Sequence, residues 1–169
     1  MKLKTAFAFG IVALILFFAP GAAQAQEMGL KGWGPRVGVS TDPDQVVGGV
    51  QFDLGEFARN VRFQPSAEIG FGDHVTTLQF NAMVAYYFPI KAQVTPYAGG
   101  SISAAFYDFD SNCGGFGRSF GCESHDTKIG PVGVGGIEMK LSGKRRFLAE
   151  LQVGFTDLPD AKLVAGWLF

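Results

Sequence analysis

The chain has 169 residues, 14 basic and 15 acidic, and a formal charge of −1. That balance gives no electrostatic footprint for nucleic acid, and the length suits one domain. Hydrophobic residues make up 47%, with 24 glycines and 17 phenylalanines, and how they are distributed decides the fold class.

Residues 1–25 read as a signal peptide. Lys2 and Lys4 form a positive start, Ala6 to Ala19 an apolar stretch, and Ala23-Gln24-Ala25 a small-residue cleavage site. Cleavage between Ala25 and Gln26 would export residues 26–169 as one domain through the general secretory route. A membrane anchor is the rival, but the apolar stretch falls short of the ~20 residues a spanning helix needs. The leader takes two basic residues and no acidic ones, leaving the mature chain at −3.

The mature chain shows no convincing amphipathic helix. Apolar residues recur at period two in segments of about ten residues, the signature of half-buried strands. Segment 32–40 separates Trp33, Val37 and Val39 from Arg36 and Ser40. Segment 46–54 separates Val46, Val50, Phe52 and Leu54 from Gln51 and Asp53. Segment 60–71 sets Phe63, Ala67, Ile69 and Phe71 against Arg62, Gln64, Ser66 and Glu68. Segment 76–88 sets Leu78, Phe80, Val84, Tyr86 and Phe88 against Thr77, Gln79, Asn81 and Tyr87. Segment 94–108 sets Ile102, Ala104 and Phe106 against Tyr97, Ser101, Ser103 and Tyr107. In segment 128–141, Ile137, Met139 and Leu141 oppose Glu138 and Lys140. Val132 and Val134 fall on its polar side, which predicts a bulge. Segment 145–156 sets Phe147, Leu151, Val153 and Phe155 against Arg146, Glu150 and Gln152. Segment 160–169 sets Leu163, Trp167 and Phe169 against Lys162.

The connections TDPDQ, GEFAR, GDHV, PIKAQ, SGK and DLPD carry turn chemistry, and residues 109–127 form a long loop. Its Cys113 and Cys122, an even pair in an exported chain, read first as a disulfide. A metal reading would add His125 and Asp126, at a spacing that fits no standard zinc pattern. No glycine run forms GxGxxG between a strand and a helix; glycine inside strands marks bends and bulges instead.

The two faces differ sharply in content. Nine of the 13 mature phenylalanines share the apolar face. The polar face carries Arg36, Asp53, Arg62, Glu68, Glu138, Lys140, Arg146, Glu150 and Lys162. An eight-stranded barrel has room inside only for side chains or one small ligand, so nine inward phenyl rings would crowd it. Reversed, the pattern is that of an outer-membrane barrel, apolar outward and polar inward. The expectation is therefore an all-β protein, a closed antiparallel up-and-down transmembrane β-barrel of eight strands. A two-sheet sandwich or a secreted lipocalin-like binding barrel is the soluble alternative. Eight strands return both ends to one side. With periplasmic termini, GEFAR, PIKAQ and SGK face the periplasm and the other connections face outside.

The leader, the eight segments and the closing Trp167-Leu168-Phe169 resemble the small outer-membrane β-barrel proteins of the OmpX and OmpA-transmembrane-domain type. The resemblance implies a Gram-negative outer-membrane location among outer-membrane lipids. It also implies that a terminal Phe169 on a strand with Leu163 and Trp167 is the signal read by the barrel-assembly machinery.

Some barrels of this size modify lipids. The His-x-Ser-Asn arrangement of the lipid A deacylases has no match at His74 or His125, and a palmitoyltransferase-like site would need Asp73-His74 or Ser124-His125-Asp126 at the outer rim. No nucleophile, base and orienting group can be identified together, so no catalytic, cofactor or metal residues are expected. Arg36, Asp53, Arg62, Glu68, Glu138, Arg146 and Glu150 are expected to form a salt-bridged plug. In it, Glu68 and Glu150 would pair with Arg36, Arg62 or Arg146 and leave no open pore. The loop at 109–127, with Phe116, Arg118 and Phe120, offers residue types that anchor interfaces with surface partners. The expected role is structural or interactive, in a monomer without cofactor; an outer-leaflet lipid enzyme is the catalytic alternative.

Overall fold

The computed structural model describes residues 28–73, 75–90, 92–109, 124–156 and 158–169. Eight strands follow one another: β1 (Met28–Thr41), β2 (Gln45–Ala58), β3 (Val61–Gly72), β4 (Val75–Tyr87), β5 (Val94–Phe109), β6 (Ser124–Lys140), β7 (Arg146–Gly154) and β8 (Ala161–Leu168). Each pairs antiparallel with its successor, and β1 pairs with β8, so the sheet closes on itself. Closure pairs the outer edges of β1 and β8 with each other from Arg36 to Thr41.

The closing seam runs from Arg36 opposite Gly166 to Thr41 opposite Ala161. Nearby the strands are pinched, and a Cβ at Gly34 would collide with the Trp167 carbonyl, so only glycine admits that approach. Beyond the paired stretch, the Phe169 amide donates to the Trp33 carbonyl at 3.0 Å.

One rim carries Met28, Phe169, the turns at 59–60 and 141–145, and residues 88–90 and 92–93. The other carries the turn at 42–44, Asp73, and residues 155–156 and 158–160. These are the terminal rim and the distal rim below.

Three expectations are corrected. First, β6 has no bulge: it pairs without a register shift against both β5 and β7. Val132 and Val134 lie on the polar side because they are buried there among apolar neighbours, Tyr107 and Leu158 among them. Second, GEFAR is not a turn. Gly55 to Ala58 belong to β2, whose pairing with β3 is irregular between Gln51 and Ala58, and the chain reverses over Arg59-Asn60, Asn60 with φ 61°. Third, the hairpin of β5 and β6 extends into the expected loop, pairing Asp108 with His125 and Phe109 with Ser124. Backbone pairing continues there although the alternation that marks the strands has faded. Cys113, Cys122, Ala25, Gln26 and the leader lie outside the described residues.

Side chains divide by parity. Of the nine phenylalanines on the apolar face, seven are exposed, and Phe63 and Phe147 are half-buried. Trp33, Tyr86, Phe88, Trp167 and Phe169 ring the outside near the terminal rim, while Phe71, Phe106 and Phe155 lie toward the distal rim. Arg36, Asp53, Glu68, Glu138, Glu150 and Lys162 are buried within.

Candidate functional site

The barrel interior is the candidate site, and it is built in tiers. Nearest the terminal rim, Asp53 on β2, Arg62 on β3, Glu138 on β6 and Arg146 on β7 form a basal quartet. Arg146 Nη1 lies 2.6 Å from Asp53 Oδ2 and 3.2 Å from Glu138 Oε2. Arg62 Nη1 lies 3.2 Å from Glu138 Oε2 and 3.7 Å from Asp53 Oδ2. The Arg62 guanidinium also covers the Tyr87 ring, 4.3 Å from its centroid, a cation–π contact.

Above the quartet, Tyr87 on β4 stacks on Tyr97 on β5 with ring centroids 4.7 Å apart. Each ring is tied by its hydroxyl, Tyr87 donating to Gln64 at 3.0 Å and Tyr97 to Glu150 at 2.8 Å. Room for Tyr97 comes from Gly136, where a Cβ would lie 2.7 Å from its hydroxyl. Leu148 and Leu168 are buried on neighbouring strands.

The central cluster joins Arg36 on β1, Glu68 on β3, Glu150 on β7 and Lys162 on β8. Arg36 Nη2 donates to Glu150 Oε2 at 2.8 Å, and its Nε lies 3.1 Å from Glu68 Oε1. Lys162 Nζ donates to Glu68 Oε2 at 2.8 Å and to Gln79 Oε1 at 2.6 Å. Neutral donors complete the carboxylates. Asn81 and Ser66 donate to Glu68 at 3.0 and 3.2 Å, and Gln152 donates to Glu150 at 3.0 Å. Gln79 and Ser103 in turn donate to Asn81 at 2.7 and 2.6 Å. Buried charges persist only when paired and hydrogen-bonded, and each charge here is both.

Toward the distal rim the interior is mixed: Ser40 is buried and Gln45 Nε2 donates to Thr77 Oγ1 at 2.8 Å, beside an apolar cluster. Val75, Ala105, Tyr107, Val132 and Val134 form a cluster into which Leu158, from the segment between β7 and β8, inserts at 3% exposure. That segment is held by the Gly154 amide donating to the Asp160 carbonyl at 3.2 Å.

All seven charged residues expected inside lie in these tiers. Glu68 and Glu150 meet Arg36, whereas Arg62 and Arg146 meet Asp53 and Glu138 instead. Lys162 bridges to Glu68 at 2.8 Å, as close as Arg36 is to Glu150, and its parity opposite Leu163 on β8 was the signal for it. Leu158 had none, since a leucine within an Asp-Pro-Asp turn reads as loop. Leu163, Trp167 and Phe169 lie on the outer surface. His74 and the side chain of His125 fall outside the described residues. Among those described, no three His, Cys, Asp or Glu side chains converge as metal ligands.

A closed eight-stranded up-and-down barrel with charges inside and phenylalanines outside has the architecture of the small outer-membrane barrels. Solved structures share it. Neisserial surface protein A (NspA) matches with a TM-score of 0.57 at 14% identity, covering 81% of this chain and 92% of its own. The N-terminal β-barrel domain of Pseudomonas aeruginosa OprF matches at 0.54 and 11% identity, covering 83% and 99%. A de novo designed transmembrane β-barrel matches at 0.50 and 16% identity, covering 88% and 98%. No protein-family model and no curated protein matches the chain. At these identities the likeness is one of fold.

Proposed function

We propose that the chain is an integral outer-membrane barrel, monomeric, closed by its own side chains, with a structural or surface-interaction role rather than a catalytic one. The observation that carries this is the inside-out distribution of side chains. Phe71, Phe80, Phe106, Phe155, Ile129 and Leu163 are exposed around the barrel while Glu68, Glu138 and Glu150 are buried within it. In water that surface would be one continuous apolar patch, far larger than soluble monomers carry. In a bilayer it meets hydrocarbon, and closure pairs the outer edges of β1 and β8 with each other there. The ring of Trp33, Tyr86 and Trp167 suits the membrane–water interface, where amphipathic aromatics gather.

Two features support a plugged interior: the charged clusters fill the barrel's cross-section with paired groups, and Leu158 packs into the apolar cluster near the distal rim. Neither cluster leaves a carboxylate free of a cation to act as a general base. The outer contacts of the protein then fall to the connection between β5 and β6. The test is a carbonate wash of the envelope followed by a heat-modifiability gel. A barrel that resists the wash and migrates differently unheated and boiled supports the proposal; one released by the wash is a soluble barrel. In planar bilayers the plugged interior gives no discrete conductance steps.

A further inference from the structure

At the terminal rim the interior opens into a vestibule of about 570 Å³ whose floor is the basal quartet. Six cationic side chains line it: Lys31, Arg62, Lys140, Lys144, Arg145 and Arg146. Only three carboxylates do, Asp53, Glu56 and Glu138, and all three lie against Arg62 or Arg146. Glu56 is 3.7 Å from Arg62 Nε, and the other two are the partners described above. Among the described residues, no ion pair holds Lys140, Lys144 or Arg145. Lys140 ends β6, and Lys144 and Arg145 lie in the tight turn that follows it, closed by the Leu141 amide donating to the Arg145 carbonyl at 2.9 Å, with Gly143 at φ 76°. The end of β6 and the turn after it therefore present three uncompensated cations at the lip of a concave, open cavity. A cleft lined by one sign of charge, with low-dielectric walls behind it, concentrates ions of the opposite sign.

We infer that the vestibule binds a phosphate group, offered either by free phosphate or by the headgroup of an anionic phospholipid. Phosphate suits the donor set: lysine ammonium groups act as point charges, and the Arg145 fork can take two oxygens at once. The cavity is larger than one bare phosphate, which leaves room for its water shell or for a glycerol attached to it. Outside the same rim stand Trp33, Tyr86 and Trp167, which would set the lip at headgroup depth. That last point rests on the membrane location proposed above; the binding of free phosphate does not.

The test uses the mature chain refolded in alkyl maltoside micelles, which contain no phosphate. Inorganic phosphate is titrated at constant ionic strength against chloride, and broadening of the phosphorus resonance is read. The wild type is expected to broaden the line. Lys140→Gln combined with Lys144→Gln and Arg145→Gln is expected to lose affinity on the order of tenfold or more, and Lys144→Glu alone to lose most of it. Lys128→Gln, at the other rim, is expected to change nothing. All these positions are exposed or half-exposed, and unheated migration on a gel confirms that each variant is folded. In a second arm, the thermal midpoint is compared in phosphatidylcholine vesicles with and without phosphatidylglycerol. Binding in micelles that the triple variant loses identifies free phosphate as a sufficient ligand. A midpoint rise with phosphatidylglycerol that the triple variant loses, without binding in micelles, identifies the lipid headgroup. If the triple variant behaves as the wild type in both arms, or chloride displaces phosphate equally well, the inference is overturned. Failure of the membrane location would show in the carbonate wash and leave the micelle arm intact.

Discussion

The central cluster and the basal quartet contain the same formal charges, two cations and two carboxylates each, yet they are built for different surroundings. Arg36, Glu68, Glu150 and Lys162 are all at most 4% exposed, and Asn81, Ser66, Gln152 and Tyr97 supply the hydrogen bonds that the ion pairs leave open. In the quartet, the side chains of Arg62 and Arg146 are 22% and 14% exposed, the vestibule lies directly over them, and the cations of the β6–β7 turn stand close by. A charge sealed from water depends on its partners, because desolvation costs several kcal/mol per ion. A charge at a wet vestibule can lose a partner and recover much of the loss from solvent. The same inventory of residues therefore locks the barrel in its middle and leaves an adaptable, net-cationic surface at its base.

The largest expected effect comes from Glu68→Ala. It strips both Arg36 and Lys162 of a carboxylate in the dry centre and is expected to cost about 3–5 kcal/mol, the range for breaking a buried pair. The urea midpoint of the refolded barrel in micelles reads this directly. A loss below ~1 kcal/mol would mean that water reaches the central cluster, and the contrast with the base would collapse. Next comes Leu158→Ala, which empties a place in the apolar cluster near the distal rim and is expected to cost about 2–3 kcal/mol through lost burial and the cavity left behind. The same variant sharpens the contrast along the barrel axis. If Leu158 is the distal plug, its truncation exposes Tyr107 and Val132, which hydrogen exchange along β5 and β6 would detect. Unchanged protection there would show that residues 155–156 and 158–160 only cover the rim.

The strands were legible because burial on one face imposes period two, and a register slip would turn every side chain over. Lys162 and the seven named interior charges followed from that parity alone. The parts that were not legible share a cause. Val132 and Val134 were misjudged because polar-inward is not a rule for every position, and beside β6 this interior holds an apolar cluster. Leu158 was invisible because its burial depends on how a turn folds back over the mouth, a tertiary effect without a local pattern. The extent of β2 was masked by Gly55, which reads as a turn yet sits at φ 84° inside an irregular strand. The partition of the charges into two separate clusters also lay beyond the sequence. Parity assigns residues to a face, whereas the stagger between strands decides which height each one occupies.

The smallest effect, and the one that most directly separates the two clusters, is expected from Arg146→Ala. Asp53 loses its nearest cation and Glu138 one of two at 3.2 Å, and both keep Arg62. Removing the Arg146 side chain opens these carboxylates, otherwise 1% exposed, to the vestibule. A cost of about 1–2 kcal/mol follows from hydrogen bonds to charged groups discounted for that access. Salt then distinguishes the base from the centre. At ~1 M ionic strength the screening length falls to about 3 Å, which reaches groups in contact with water but not a sealed pair. The stability gap between Arg146→Ala and the wild type should therefore narrow as sodium chloride rises, while the gap for Glu68→Ala persists. Urea midpoints for the three proteins at low and high salt decide the matter. If both gaps narrowed together, solvent would reach the whole interior and the barrel would hold a continuous wet path; if neither did, the vestibule would be closed to ions, and phosphate could not enter it.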